Sequence, residues 1–329
     1  MRSHGYRMMM RGWVFALILS AIWWPAGGGL GVGPEVSNVR ISPGSIQGHR
    51  AVHLGTTLVN TFVTVTDKRG RLISDLKASD FVVWDNGVRQ RITEFSRETQ
   101  LPLTLALVID RSRSVQARFE LERMAAINFL KSILRRGQDR GLLVAFDSDV
   151  YLISDFTDDA VALTRKIRNL SVAGNSAVFD AVYKTARYKF GPISFGRKVL
   201  VLITDGDDTA SEATLSEAID MALRTDVIVY PIGIRGTKAG IAALKRLAEA
   251  TGGRALFLDE EHTRLAELFD QLEMELRNQY SIGYEVKHVP DGRFHRLKIR
   301  VKKRGLTVRA RKGYYALPLP AKGGSPSTQ

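Results

Sequence analysis

The sequence predicts an α/β fold: a doubly wound, mostly parallel sheet flanked by β-sandwich segments. Three observations lead there. Between residues 101 and 278, continuous apolar runs rich in β-branched residues ("LTLALVI", "GLLVAF", "KVLVLITD", "VIVYPIGI") alternate with stretches of helical periodicity, the pattern of strands buried on both faces by crossover helices. On either side the period falls to two, as in half-exposed strands. Finally, 329 residues with 44% hydrophobic content suffice for one large core and a smaller companion.

In chain order, residues 1–28 read as a secretory signal peptide. Arg2, Arg7 and Arg11 precede an apolar run from Trp13 to Trp24, and small residues follow, with cleavage expected between Ala26 and Gly31. The apolar run is about a dozen residues, whereas a bilayer-spanning helix needs about 20, so an uncleaved anchor is the weaker reading. Residues 36–98 form the first β segment, in which Asp85-Asn86-Gly87 between two β-rich runs marks a hairpin. Residues 101–278 form the α/β domain. Its first helix is expected over 115–136, with Phe119, Ala126, Phe129, Leu130 and Ile133 on one side and Gly137 just past the end. Further helices are expected over 160–170, 179–189, 215–224, 239–251 and 263–278, with a short strand in "RALFLD".

Residues 279–317 return to β character and are expected to pair with the N-terminal β region into one sandwich, from which the α/β domain emerges as an insertion; two small separate sheets are the alternative. In this segment Leu297, Ile299 and Val301 alternate with Arg296, Lys298, Arg300 and Lys302, giving a half-buried strand with a wholly basic outer face. Most such faces are simply solvated, but these four side chains are candidate contacts for an anionic surface, either lipid headgroups or acidic polymers. Residues 318–329, rich in Pro, Gly and Ser, are expected to form a disordered tail.

The chain has no cysteine, which excludes thiolate metal sites and cysteine catalysis and fits an exported protein stabilised by its core. Its formal charge of +14 suits a partner of opposite sign, yet no nucleic-acid-binding motif is present and export argues against nucleic acid.

In a doubly wound sheet, functional groups gather at the carboxyl ends of the strands. Three loops there carry oxygen donors: Asp110, Ser112 and Ser114 after "LALVI", Ser176 and Asp180 in "AGNSAVFDAV", and Asp205 after "VLVLIT". Carboxylates and hydroxyls are hard donors suited to Mg2+, Mn2+ or Ca2+ rather than to zinc. Alternate positions such as 112 and 114 place two hydroxyls on one side of a locally extended loop, and the alternating Arg111 and Arg113 should then turn away or toward the rim, where they could attract an acidic ligand.

Asp110-x-Ser112-x-Ser114, "AGNSAVFDA" and "ITDG", in that order, resemble the von Willebrand factor type A (VWA) domain with its metal-ion-dependent adhesion site (MIDAS). The likeness covers residues 101–278, and the wider chain resembles bacterial exported proteins of the acidobacterial VWFA-related class. It implies a Rossmann-like fold and Mg2+ (or Mn2+/Ca2+) as cofactor. Ser112 and Ser114 would be direct ligands, and Asp110, Asp205 and Ser176 direct or water-mediated ones, with Asp180 supporting the loop. It also implies a partner protein whose Asp or Glu carboxylate fills the open coordination position. Ser176 stands where the family usually has Thr, which keeps the hydroxyl and loses a methyl.

Blander and rival readings stand beside these. Asp110 to Ser114 could merely cap the following helix. Asp207 and Asp208 read as a solvated loop ahead of the Thr214/Glu217 capping box, and Tyr314 and Tyr315 as sheet packing. A metal-dependent hydrolase or phosphotransfer enzyme using Asp110 or Asp205 is the rival function, and a metal-free envelope scaffold a third. The enzyme reading lacks a D-x-D sequence after the first strand, a histidine in or beside the loops, a G-x-S-x-G elbow and a phosphate loop.

Overall fold

The computed structural model describes residues 57–98, 101–193, 196–234, 236–258, 265–286 and 290–317. The expected signal peptide, residues 36–56 of the first β segment and the expected C-terminal tail lie outside the described residues. The described residues belong to one compact unit.

The first β segment supplies β1 (Thr57–Thr66), β2 (Phe81–Asp85), β3 (Val88–Gln90) and β4 (Ile92–Glu98). The β2–β3 hairpin closes on Asn86 and Gly87, at φ 47° and 85°, the left-handed pair that a two-residue turn between twisted strands requires. The α/β domain follows as β5 (Leu103–Asp110), α1 (Phe119–Ile133), β6 (Arg140–Phe146), β7 (Val150–Thr157), α2 (Ala160–Arg168), α3 (Val178–Thr185), β8 (Arg197–Thr204), α4 (Leu215–Arg224), β9 (Val227–Gly233), α5 (Lys238–Thr251), β10 (Leu256–Phe257) and α6 (Leu265–Arg277). The chain then gives β11 (Gln279–Val286), β12 (Phe294–Val301), β13 (Thr307–Arg309) and β14 (Gly313–Tyr315).

The central sheet has the order β10-β9-β8-β5-β6-β7. All its neighbours run parallel except the β6–β7 pair, so the expected doubly wound, mostly parallel α/β fold is present. All eight residues of β5 are buried. Its Leu103, Leu105, Leu107 and Ile109 pack with α1, α2 and α6, while Ala106 and Val108 face α3, α4 and α5. The period-2 alternation thus sends successive side chains into two separate cores. From β5 the chain winds toward β6 on one side and, after α3, toward β8 on the other, so the switch in winding direction falls at the carboxyl end of β5.

Two antiparallel sheets accompany it, with orders β13-β1-β11-β4 and β14-β12-β2-β3. Each mixes strands from before and after the α/β domain. Val59, Val63, Tyr280 and Ile282 of one share a core with Phe81, Val83, Leu297 and Tyr314 of the other. Where the chain leaves this pair of sheets and returns to it, β4 and β11 are neighbours, with Glu98 opposite Gln279.

One local expectation needs correction, and two local features add detail. The first helix starts at Phe119, not at Val115: Arg113–Val115 form a 3₁₀ turn, because the preceding loop is tied across the sheet by Arg111 N–H to Phe146 O and Arg113 N–H to Gly174 O. The helix after residue 178 continues beyond Thr185 as a π turn, Ala186–Phe190. The edge strand β7 was not anticipated. It runs antiparallel to β6 with two register shifts and is largely half-exposed, so its sequence carries no clean alternation.

At the end of the sheet opposite the three ligand loops, Asp139 fastens the domain. Its buried carboxylate accepts from Leu103 N–H at 2.8 Å, from Arg135 Nε at 2.9 Å and from Arg277 at 3.1 Å, joining the start of β5 to the ends of α1 and α6. Burial alone would raise its pKa, but the Arg135 side chain, the two backbone N–H donors and Arg277 outweigh that and hold the carboxyl down at about 2, against an ordinary 3.8. A depressed folded-state pKa means that this stabilisation is fully present above about pH 4 and fades as pH falls through 2. Asp139→Ala, which leaves Arg277 without its carboxylate, should cost about 3–5 kcal/mol at pH 7; urea denaturation at pH 7 and pH 3 checks both the size and the smaller difference expected at pH 3.

Candidate metal centre

β5 ends in Asp110 at the centre of the sheet, flanked by the ends of β6 and β8. This switch in winding direction is where an open α/β sheet forms its crevice. The Asp110 side chain is fully buried and three segments converge on it. Ser112 N–H donates to Oδ1 at 2.8 Å, Ser176 Oγ to Oδ2 at 2.9 Å, and Thr204 Oγ1 to Oδ2 at 2.7 Å. Burial pushes the Asp110 carboxyl up; the Thr204, Ser112 and Ser176 donors pull it down without cancelling that effect. Ser112 and Ser114 bring their hydroxyl oxygens to 2.9 Å. Ser112 is buried while Ser114 is exposed, so the pair runs from the interior to the rim.

The helix-cap reading of this loop does not hold. Neither Ser112, ahead of the 3₁₀ turn, nor Arg118, ahead of α1, makes a side-chain capping bond, and Asp110 turns its carboxylate inward to the neighbouring loops. Arg111 turns away from the serines: its guanidinium pairs with Asp147 at 2.6 Å and lies over the Tyr151 ring at 4.6 Å. Its charge is therefore engaged within the fold, leaving exposed Arg113 as the basic rim residue of the loop.

Ser176 is held by the segment after β8: its N–H donates to Thr209 Oγ1 at 3.0 Å and its carbonyl accepts from Thr209 N–H at 2.8 Å. Asp180 accepts from Ala213 N–H at 2.8 Å and pairs with Lys184 at 2.9 Å. Burial opposes ionisation there, but these contacts win and its pKa is lowered. Its carboxylate thus fixes the 208–213 loop against α3 and so, through Thr209, supports Ser176. Asp205 is nearly buried and accepts from Asp207 N–H at 3.1 Å. Gly236 allows the Asp205 backbone to approach: a Cβ there would lie 1.9 Å from the Asp205 carbonyl oxygen. Asp207 and Asp208 are not simply solvated, since Asp207 accepts from Thr237 N–H at 3.1 Å at the start of α5 and Asp208 from Ser211 Oγ at 2.5 Å. The Thr214/Glu217 capping box is formed at α4.

Two residues of the site were not anticipated. Thr204, the last residue of β8, read simply as part of a strand. Glu122 lies on α1, three residues after Phe119 and four before Ala126, hence on the buried stripe; a lone Glu in that stripe was the available signal. It is 1% exposed and neither carboxylate oxygen has a hydrogen-bond partner. Burial first, then the negative charge of Asp110 and Asp205, pushes its pKa up to about 8, with Arg118 offsetting only part.

Among the described residues no three His, Cys, Asp or Glu side chains are grouped to hold a metal by themselves, so any cation here depends on hydroxyl donors as well. The residues fit a hard divalent cation on two counts. The donor set is oxygen only. The orphaned Glu122 oxygens beside Asp110 and Asp205 mark a buried region short of positive charge, where an unpaired carboxylate is costly.

The sequence profile of the von Willebrand factor type A domain matches residues 104–271, just over half of the chain. No curated protein matches it. Among solved structures, a von Willebrand factor type A protein from Catenulispora acidiphila is 14% identical, with TM-score 0.48, over 68% of this chain and 74% of that one. The vWF domain of the type V pili tip protein Mfa5 from Porphyromonas gingivalis is 15% identical, with TM-score 0.44, over 53% and 95%. Proximal thread matrix protein 1 from the mussel byssus, with a zinc-occupied MIDAS motif, is 15% identical, with TM-score 0.47, over 59% and 50%. On the profile match across β5 to α6, this chain belongs to the von Willebrand factor type A domain family.

Proposed function

We propose that the chain is an exported, non-enzymatic adhesion module that captures a carboxylate of a partner protein through a divalent cation, Mg2+ or alternatively Mn2+ or Ca2+, held by Asp110, Ser112, Ser114, Ser176 and Asp205. The observation that carries this reading is the convergence of Ser112, Ser176 and Thr204 on the buried Asp110 carboxylate. A bound divalent cation supplies an electrophilic coordination position for an incoming Asp or Glu side chain.

The chain's own residues prepare that position. A hydroxyl that donates its proton to a carboxylate, as Ser176 does to Asp110, turns its lone pairs away from that bond and toward a cation. With both oxygens already accepting, Asp110 would serve chiefly as a charge balancing a bound cation. Ser114, at the exposed end of the hydroxyl pair, borders the opening through which the partner carboxylate arrives. Glu122, protonated at neutral pH while its pKa stands near 8, would add charge from the α1 side once a cation displaced that proton. Asp180 and Lys184 hold the loop behind Ser176.

The hydrolase or phosphotransfer alternative needs Asp110 or Asp205 to meet a substrate. Asp110 is fully buried, with its oxygens engaged by three donors, which suits a positioning charge and not an attacking nucleophile.

Calorimetry with Mg2+, Mn2+ and Ca2+ tests the reading: binding is expected for wild type and at least tenfold weaker for Ser112→Ala and Asp205→Ala, whereas unchanged affinity in both would overturn it. Gly236→Ala, which must displace the Asp205 backbone, should weaken metal binding to a similar degree while far-UV circular dichroism stays native.

Glu122→Gln separates charge from packing. Because the folded-state pKa of Glu122 is raised, metal-free wild type loses stability as pH climbs from about 4.5 toward 8. The Gln variant should escape that loss, gaining about 1–3 kcal/mol at pH 8 in chelator, yet bind metal more weakly. Urea denaturation at pH 5 and pH 8, beside the calorimetry, reads both effects.

A further inference from the structure

A second recognition site lies on the outer face of the β14-β12-β2-β3 sheet, away from the three ligand loops. There Arg296, Lys298 and Arg300 of β12 are exposed, spaced every second residue and so about 7 Å apart along the strand. β2 places Trp84 directly opposite Lys298, and β3 places exposed Arg89 opposite Trp84. None of these four cations enters an ion pair among the described residues. Trp84, Phe294, Arg296 and Lys298, with the Asn86-Gly87 turn, line a groove of about 640 Å³, within the usual range for a ligand site of about 300–1,000 Å³. Arg300 lies at the border of the indole, 6.0 Å from the ring centroid.

The floor of the groove is fixed from below. Asn86 Oδ1 accepts from Arg296 N–H at 2.9 Å, and Asn86 Nδ2 lies 3.2 Å from His295 Nδ1. Buried Asp85 meets His295 at 3.3 Å, Tyr284 at 3.0 Å and Tyr314 at 2.7 Å. The cations therefore stand on a rigid base.

We propose that this groove binds an acidic polysaccharide bearing uronate carboxylates: one sugar ring lies on Trp84, and carboxylates of adjoining sugars pair with Arg296, Lys298 and Arg300. The concavity argues for a chain over a flat lipid surface. Two aromatic side chains, Trp84 and exposed Phe294, line the groove, fewer than the run of successive stacking platforms on which single-stranded nucleic acid is held. Phe294 stands T-shaped to Tyr315 at 5.4 Å, and the Tyr315 ring is covered by Arg224 at 3.7 Å, so Tyr315 adds no further platform. Guanidinium groups match carboxylates in bidentate geometry, and the sugar ring's apolar face matches the indole.

The test is titration of the full-length chain with polygalacturonate in chelator, with dextran, an oligo-dT strand and phosphatidylglycerol vesicles as comparisons. Affinity is read by calorimetry and by the wild-type minus Trp84→Phe fluorescence difference, which isolates Trp84 from the tryptophans at 13, 23 and 24. The expected result is polygalacturonate binding that weakens with salt, shifts the Trp84 emission, falls at least tenfold in the Arg296→Ala/Lys298→Ala double variant, and is unchanged in Ser112→Ala. Absence of binding, equal loss in a distant control such as Lys131→Ala, or binding of only oligo-dT or vesicles would overturn the proposal. The double variant changes exposed side chains only, and a native far-UV spectrum ensures that its loss of binding reads the groove. Insensitivity to chelator and to Ser112→Ala keeps this outcome independent of the metal centre.

Discussion

One buried carboxylate organises the top of the α/β domain. Asp110 ends a strand buried along its whole length, where neutralising its charge by solvent is not available, and it is satisfied instead by a backbone N–H and two hydroxyls. Each donor belongs to a different segment: its own loop, the loop before α3 and the end of β8. The cost of leaving such a group unsatisfied therefore sets the mutual position of all three. The recognition chemistry proposed for this site would use the same atoms that hold the three segments together.

Around that centre, charge is deliberately uneven. At the bottom of the sheet Asp139 is surrounded by Arg135 and Arg277; at the top the Glu122 carboxylate has no hydrogen-bond partner among the described residues, and its pKa is pushed up to about 8 with only a partial offset from Arg118. The first arrangement closes a structure. The second leaves a deficit that an external cation would fill. The contrast between two buried carboxylates on the same domain is a physical criterion for separating structural from recognition chemistry, and it does not depend on motif matching.

The strand–helix alternation and the three oxygen-donor loops were legible because each is local: continuous apolar runs, a D-x-S-x-S spacing and an Asp-Gly after a buried strand can be read within ten residues. What was hidden depends on contacts distant in sequence. Thr204 looks like any β-branched strand residue until the sheet sets it beside Asp110. Asp207 looks solvated until α5 brings Thr237 to it. The start of α1 was placed too early because nothing in residues 113–118 shows that Phe146 and Gly174 hold the preceding backbone out of helical geometry. β7 escaped notice because two register shifts against β6 break the alternation that would have revealed it.

The order of strands in the two antiparallel sheets bears on how the molecule is made. Both neighbours of β1, β11 and β13, come from the end of the chain, and among the described residues β4 pairs only with β11. During synthesis the N-terminal segment can close little more than the β2–β3 hairpin by itself, and its remaining strands wait with unpaired edges while the α/β domain is made. That domain, with largely local β–α–β connections, can condense first and bring Gln279 back opposite Glu98. Its own folding thus becomes the step that permits the flanking sheets to zip, and a slow or destabilised α/β domain would expose sticky strand edges elsewhere in the chain.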